Sequence, residues 1–132
     1  ALGLTQLSRI DDYLKKRHKI AKNYDAQLSE SEIVLPYRDP KNLSALHLYV
    51  VQVDESMHEY IFSSLREKGI AVNLHYIPVH TQPYYQKLGF NWGDFPNAEK
   101  YYRRAISLPI FPTLTSDQQN FVIESVRSLC DA

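Results

Sequence analysis

The sequence predicts an α/β domain, and three observations carry that reading. Apolar residues recur at helical spacing from Leu4 to Leu28. β-branched and aromatic residues fill Leu46–Val53, and strand-like and helix-like segments then alternate to the C-terminus. Three or four strands alternating with helices imply a small sheet with helices covering one face, preceded by one long helix. At 132 residues the chain makes one domain with a self-sufficient core.

Leu4, Leu7, Ile10, Leu14, Ala21, Tyr24 and Leu28 form one face of the first helix. Its other face carries Arg9, Lys15, Lys16, Arg17, Lys19 and Lys22, a stripe that fits a solvated surface better than a phosphate contact. Ile33-Val34-Leu35 has room for a short strand before Pro36 and Pro40 break the pattern. Leu46–Val53 (LHLYVVQV) reads as a central strand. Ser56 and Glu59 have capping-box spacing, opening a helix through Ile61 and Leu65 that stops at Gly69. Ile70–Tyr76 reads as the second strand, and residues 77–94 as mostly loop with room for a helical turn. Asp94 and Pro96 open a helix through Tyr101 and Ala105, Ile106–Leu108 is a third strand, and Thr115 with Gln118 caps the last helix.

Composition excludes some classes of function. Lys+Arg and Asp+Glu both total 15, so no net field draws in nucleic acid or an anionic membrane. No apolar run approaches the roughly 18 residues of a membrane span, and no signal peptide is visible. Cys130 is alone and cannot form an internal disulfide, which fits a reducing, cytoplasmic home. The chain starts at Ala1 without a methionine, with Leu4 already in a periodic helix, as at a cut inside a larger protein.

The residues with most chemistry lie in His75–His80 (HYIPVH) and the following Pro83-Tyr84-Tyr85. A metal would need further ligands, and His18, His47 and His58 fall in separate elements, so no metal site is expected. No Gly-x-Ser-x-Gly and no clustered glycines are present, Cys130 has no partner, and no lysine stands out as a Schiff-base former. On the residues alone, His75 or His80 either contacts a ligand from a strand end or makes hydrogen bonds within the loop.

The ordered series ALGLTQL, HLYVVQV at His47–Val53, KGIAVNLHYIPVHTQPYY at Lys68–Tyr85 and FPNAEKYYRRAISLPIFPTLT at Phe95–Thr115 resembles the C-terminal segment of DegT/DnrJ/EryC1/StrS sugar aminotransferases. Within that family the elements most resemble transaminases of pseudaminic acid biosynthesis, which act on a UDP-linked 4-keto-6-deoxy hexose. The resemblance covers essentially the whole chain. It implies the small C-terminal domain of an aspartate-aminotransferase-like fold, residues 1–132 forming that single domain. The pyridoxal phosphate (PLP) domain and its Schiff-base lysine would then lie outside the chain, in roughly 230 to 250 preceding residues. This chain alone would then be inactive and bind no cofactor. The full enzyme would pass an amino group from glutamate to PLP and on to the sugar ketone, as a homodimer with sites at the subunit interface. By the same resemblance His75, Tyr76 and His80 would approach the sugar nucleotide, with Tyr84 and His47 in support. The rival reading is a stand-alone, non-catalytic α/β ligand-binding or regulatory module.

Overall fold

The computed structural model describes residues 2–131. The chain begins with two helices in place of the single long one expected, α1 (Leu2–Leu7) and α2 (Ile10–Leu28). The break follows Ser8, whose hydroxyl donates to the Thr5 carbonyl at 2.9 Å and so competes with the helical ladder. Leu4, Leu7 and Ile10 are exposed, and only the later part of the stripe, Ile20, Ala21, Tyr24 and Leu28, enters the core.

The remaining elements are β1 (Tyr49–Gln52), α3 (His58–Glu67), a 3-10 turn (Val79–Thr81), α4 (Pro83–Gln86), α5 (Pro96–Tyr102), β2 (Ala105–Leu108) and α6 (Ser116–Cys130). β1 and β2 pair antiparallel, with Tyr49 opposite Leu108 and Gln52 opposite Ala105. Among the described residues the sheet has these two strands, not the three or four expected. The two missing strands survive as single antiparallel bridges on either edge, Val34 with Gln52 and Asn73 with Ser107. Backbone donors on both segments are diverted to local acceptors. Ile33 N–H donates to the Ser31 carbonyl, Val72 N–H to the Ile70 carbonyl, and Leu74 N–H to the Asn73 side chain. Few donors are then left for a ladder.

Alternation along the strands puts Tyr49, Val51, Ile106 and Leu108 on one face. They pack there with Tyr24 and Leu28 of α2, Ile61 and Leu65 of α3, and Val122 and Val126 of α6. The buried tyrosines have hydroxyls to place. Tyr24 donates to the Pro109 carbonyl at 2.9 Å, and Tyr49 donates to Asp25 at 2.8 Å, a carboxylate that also pairs with Arg38. α6 is tied to α2 by Gln119, whose amide donates to the Ile20 carbonyl at 2.8 Å. Ala105 and Ser107 point to the opposite face of β2 and are buried as well, so this strand is covered on both sides.

Helix boundaries separate true caps from coincidental spacing. Thr115 and Gln118 form the expected reciprocal capping box at α6. Ser56 and Glu59 do not. α3 starts at His58, and the Ser56 amide and hydroxyl both donate to Asp54 instead. Asp94 likewise gives its carboxylate to the Asn91 amide at 2.7 Å and leaves α5 capped by Phe95 without a side-chain bond. Gly69 does end α3. It adopts a φ of +80°, Ile70 N–H reaches the Leu65 carbonyl, and Gly69 N–H reaches that of Arg66. This is the Schellman arrangement, with Leu65 and Ile70 both buried beneath it.

Candidate functional site

The segment 75–95 leaves the sheet edge at Asn73 and returns to it through α5 and β2. Pro78 and Pro83 open its two short helical turns, and Gly89 and Gly93, both at positive φ, reverse its direction. It carries a dense set of exposed aromatics, including Tyr76, Tyr84, Trp92 and Phe95.

His80 lies beneath this surface and is almost fully buried. Its Nε2–H donates to Glu99 Oε1 at 2.9 Å, and Glu99 is buried too. The same oxygen accepts from the Gly93 amide at 2.7 Å and the Phe95 amide at 3.3 Å. Arg103 stands 3.9 Å from the other carboxylate oxygen and pairs at 2.7 Å with Glu55. Burial works against the Glu99 charge, but the Gly93 amide, the His80 ring and the Phe95 amide outweigh it and hold the carboxyl below its ordinary range. One carboxylate therefore ties together the end of HYIPVH, the turn at Gly93 and the start of α5.

Around this pair the rings run in sequence: Tyr84 against Tyr85, Tyr85 against Phe90, Phe90 against Phe95, Phe95 against His80, and His80 against Trp92. Pro78, Val79, His80, Tyr85, Phe90, Phe95 and Ala98 line an open apolar groove of about 380 Å³, within the size range of small-molecule sites.

His75 is fixed separately. Its Nδ1 lies 2.7 Å from the hydroxyl of buried Ser107 on β2, and its ring meets Tyr76 edge-on at 4.7 Å. His75 is half-buried and Tyr76 exposed, both at the mouth of the loop. Of the five residues singled out from the sequence, the structure brings His75 and Tyr76 into ring contact and buries His80 against Glu99, while Tyr84 stands exposed and meets only the Tyr85 ring among the described residues. His47 stands apart, exposed at the approach to β1, without a hydrogen-bond partner among the described residues. Sequence reasoning missed Glu99 and Ser107, which hold the two histidines. Glu99 reads as one more charge on a short helix and Ser107 as one small strand residue, and neither type marks a partner across 19 or 32 positions. Among the described residues no three His, Cys, Asp or Glu side chains converge as a metal site, and no helix is long and apolar enough to cross a membrane.

The profile of the DegT/DnrJ/EryC1/StrS aminotransferase family matches residues 1–127. The chain is 42% identical to the spore coat polysaccharide biosynthesis protein SpsC of Bacillus subtilis, over 98% of its own length and 35% of that protein's. It superimposes on Spr1654 of Streptococcus pneumoniae with a TM-score of 0.91 at 30% identity, covering 97% of this chain and 33% of the other. Spr1654 was solved in apo, PLP and PMP forms. Helicobacter pylori PseC, an aminotransferase of pseudaminic acid biosynthesis, matches with a TM-score of 0.89 at 28% identity, over 98% and 36% of the two chains. The chain spans about a third of the length of the relatives it matches. On its sequence and its fold alike, the chain belongs to the DegT/DnrJ/EryC1/StrS aminotransferase family.

Proposed function

We propose that this chain is the C-terminal, substrate-facing domain of a PLP-dependent aminotransferase. The full-length enzyme, a cytoplasmic homodimer, moves an amino group from glutamate to a 4-keto-6-deoxy sugar carried on UDP, in the synthesis of bacterial surface polysaccharide. The observation that carries the reading is the match of 98% of this chain to part of PseC, an aminotransferase involved in the biosynthesis of pseudaminic acid. The identity to a spore coat polysaccharide protein supports the same class of product.

The residues present do not by themselves fit PLP. Every lysine lies on the exposed surface. The positive-φ glycines are spread over a helix end and two loop turns, and the Gly93 amide is already given to Glu99. What this chain supplies is a surface for the sugar nucleotide. His75 and Tyr76 offer a ring nitrogen and a hydroxyl at the loop mouth, and Tyr84 offers a second exposed hydroxyl. His80, locked to Glu99, fixes one wall of the neighbouring apolar groove.

The test is to follow the two half-reactions of the full-length enzyme separately by single-turnover spectroscopy. In His80→Ala the reaction with the UDP-linked ketosugar should slow at least about tenfold more than the reaction with glutamate, the loss of roughly one well-placed interaction. Equal slowing of both would remove the substrate-facing role.

A further inference from the structure

His75 has two ring nitrogens, and only one has a partner. Nδ1 meets Ser107 Oγ at 2.7 Å, while Nε2 has no partner among the described residues. The direction of the Ser107 bond follows from hydrogen-bond accounting. Ser107 is buried, and His75 is the only partner of its hydroxyl among the described residues. If Nδ1–H donated to that oxygen, the hydroxyl hydrogen would be left buried without an acceptor, the costlier of the two defects. The hydroxyl therefore donates and Nδ1 accepts. In the neutral ring the proton then sits on Nε2.

The backbone supports the same geometry. Asn73 and Ser107 exchange hydrogen bonds of 2.9 and 3.3 Å, which pin the segment bearing His75 against β2 two residues before the ring. The edge-on contact with Tyr76 restricts the ring from the other side. Two contacts hold the imidazole itself and the backbone pair holds the segment that bears it, which leaves Nε2 as the ring nitrogen without a partner among the described residues.

We propose that Ser107 is a positioning residue: its hydroxyl holds His75 in the Nε2–H tautomer, so that the ring presents a hydrogen-bond donor to an acceptor oxygen of the sugar nucleotide. The ligand half of this proposal rests on the function proposed above. A phosphate, carbonyl or ring oxygen of the sugar nucleotide carries no hydrogen and offers such a donor only lone pairs, and the opposite tautomer would turn its own lone pair toward them. Ser107 does this without touching the ligand, from the far side of the ring.

The experiment is nitrogen NMR of the full-length protein, with ¹⁵N-labelled histidine rings and at a pH where the rings are neutral. The His75 signals are assigned by their loss in His75→Gln. The wild-type ring should show a protonated Nε2 and an unprotonated Nδ1. Ser107→Ala should give a mixture of tautomers, and Ser107→Thr, which keeps the hydroxyl, should restore the wild-type pattern. A wild-type ring protonated at Nδ1 overturns the proposal, and that measurement needs no variant to fold. An unchanged tautomer in folded Ser107→Ala overturns it equally.

Kinetics separate the two halves. Ser107→Ala should raise KM for the sugar nucleotide about tenfold, with kcat falling less. His75→Phe should raise KM at least as much. If KM is unmoved in His75→Phe while the tautomer is as expected, the ligand role of His75 fails. A wrong tautomer removes the role of Ser107 whatever the kinetics show.

Discussion

Glu99 shows how one buried carboxylate can shape a surface it does not reach. Its single oxygen Oε1 gathers the His80 ring and the amides of Gly93 and Phe95, so removing its charge loosens three points of the aromatic loop together. Because those donors hold the folded carboxyl below its ordinary value of 4.5, the sign of the pH effect is set. The stabilisation is fully present above that value, where the unfolded carboxyl is already ionised, and is lost as pH falls through the lower folded range. The urea midpoint of the wild-type chain should therefore drop between pH 6 and pH 3, and that of Glu99→Gln should drop less from a lower start. An identical slope in both would show that Glu99 is not linked to folding. Cys130 gives a second residue-scale prediction. Burial, with Asp131 and Glu32 nearby, pushes its thiol up to about 11. Only about one thiol in a thousand is then ionised at pH 8. An aromatic disulfide reagent should label it roughly a hundredfold more slowly than free cysteine at that pH, the rate climbing toward pH 11. Free-cysteine rates at pH 8 would contradict the burial.

Two identical spacings behave differently at the scale of the element. Thr115-x-x-Gln118 and Ser56-x-x-Glu59 read alike in the sequence, yet only the first closes a capping box. The difference is Asp54, which lies two residues before Ser56 and takes its amide and hydroxyl first. Thr115→Ala should therefore cost about 1 kcal/mol of stability by urea unfolding, while Ser56→Ala removes no helix cap and should cost clearly less. Gly69→Ala should also cost about 1 kcal/mol. A Cβ there meets nothing within 4 Å, so the whole cost lies in the positive φ. Helices with a strong stripe or a glycine stop were legible because both signals are local. The strands expected at Val34 and Asn73 shrink to single bridges, because local acceptors take the amides that a ladder needs and residue pattern alone does not show it. His75 and His80 were legible as candidates by residue type and by their place at a strand end. Their partners Ser107 and Glu99 become visible only once folding brings β2 and α5 beneath the loop.

At the scale of the molecule, two surfaces look incomplete. Leu2, Leu4, Leu7 and Ile10 stand exposed along the first helices, and the loop from Tyr76 to Phe95 carries its aromatics outward. Exposed apolar area of this extent marks surfaces that meet something else, and the chain is a third of the length of its relatives. Histidine and tyrosine side chains lie at the loop mouth, while every lysine is exposed. The proposed function thus divides the labour, with these residues facing the substrate and the cofactor held elsewhere. Borohydride reduction of the PLP-loaded full-length protein, followed by peptide mapping of the pyridoxyl-lysine, tests that division most directly. A single stoichiometric label is expected on a lysine outside these 132 residues. A stoichiometric label on any lysine from Lys15 to Lys100 would contradict it.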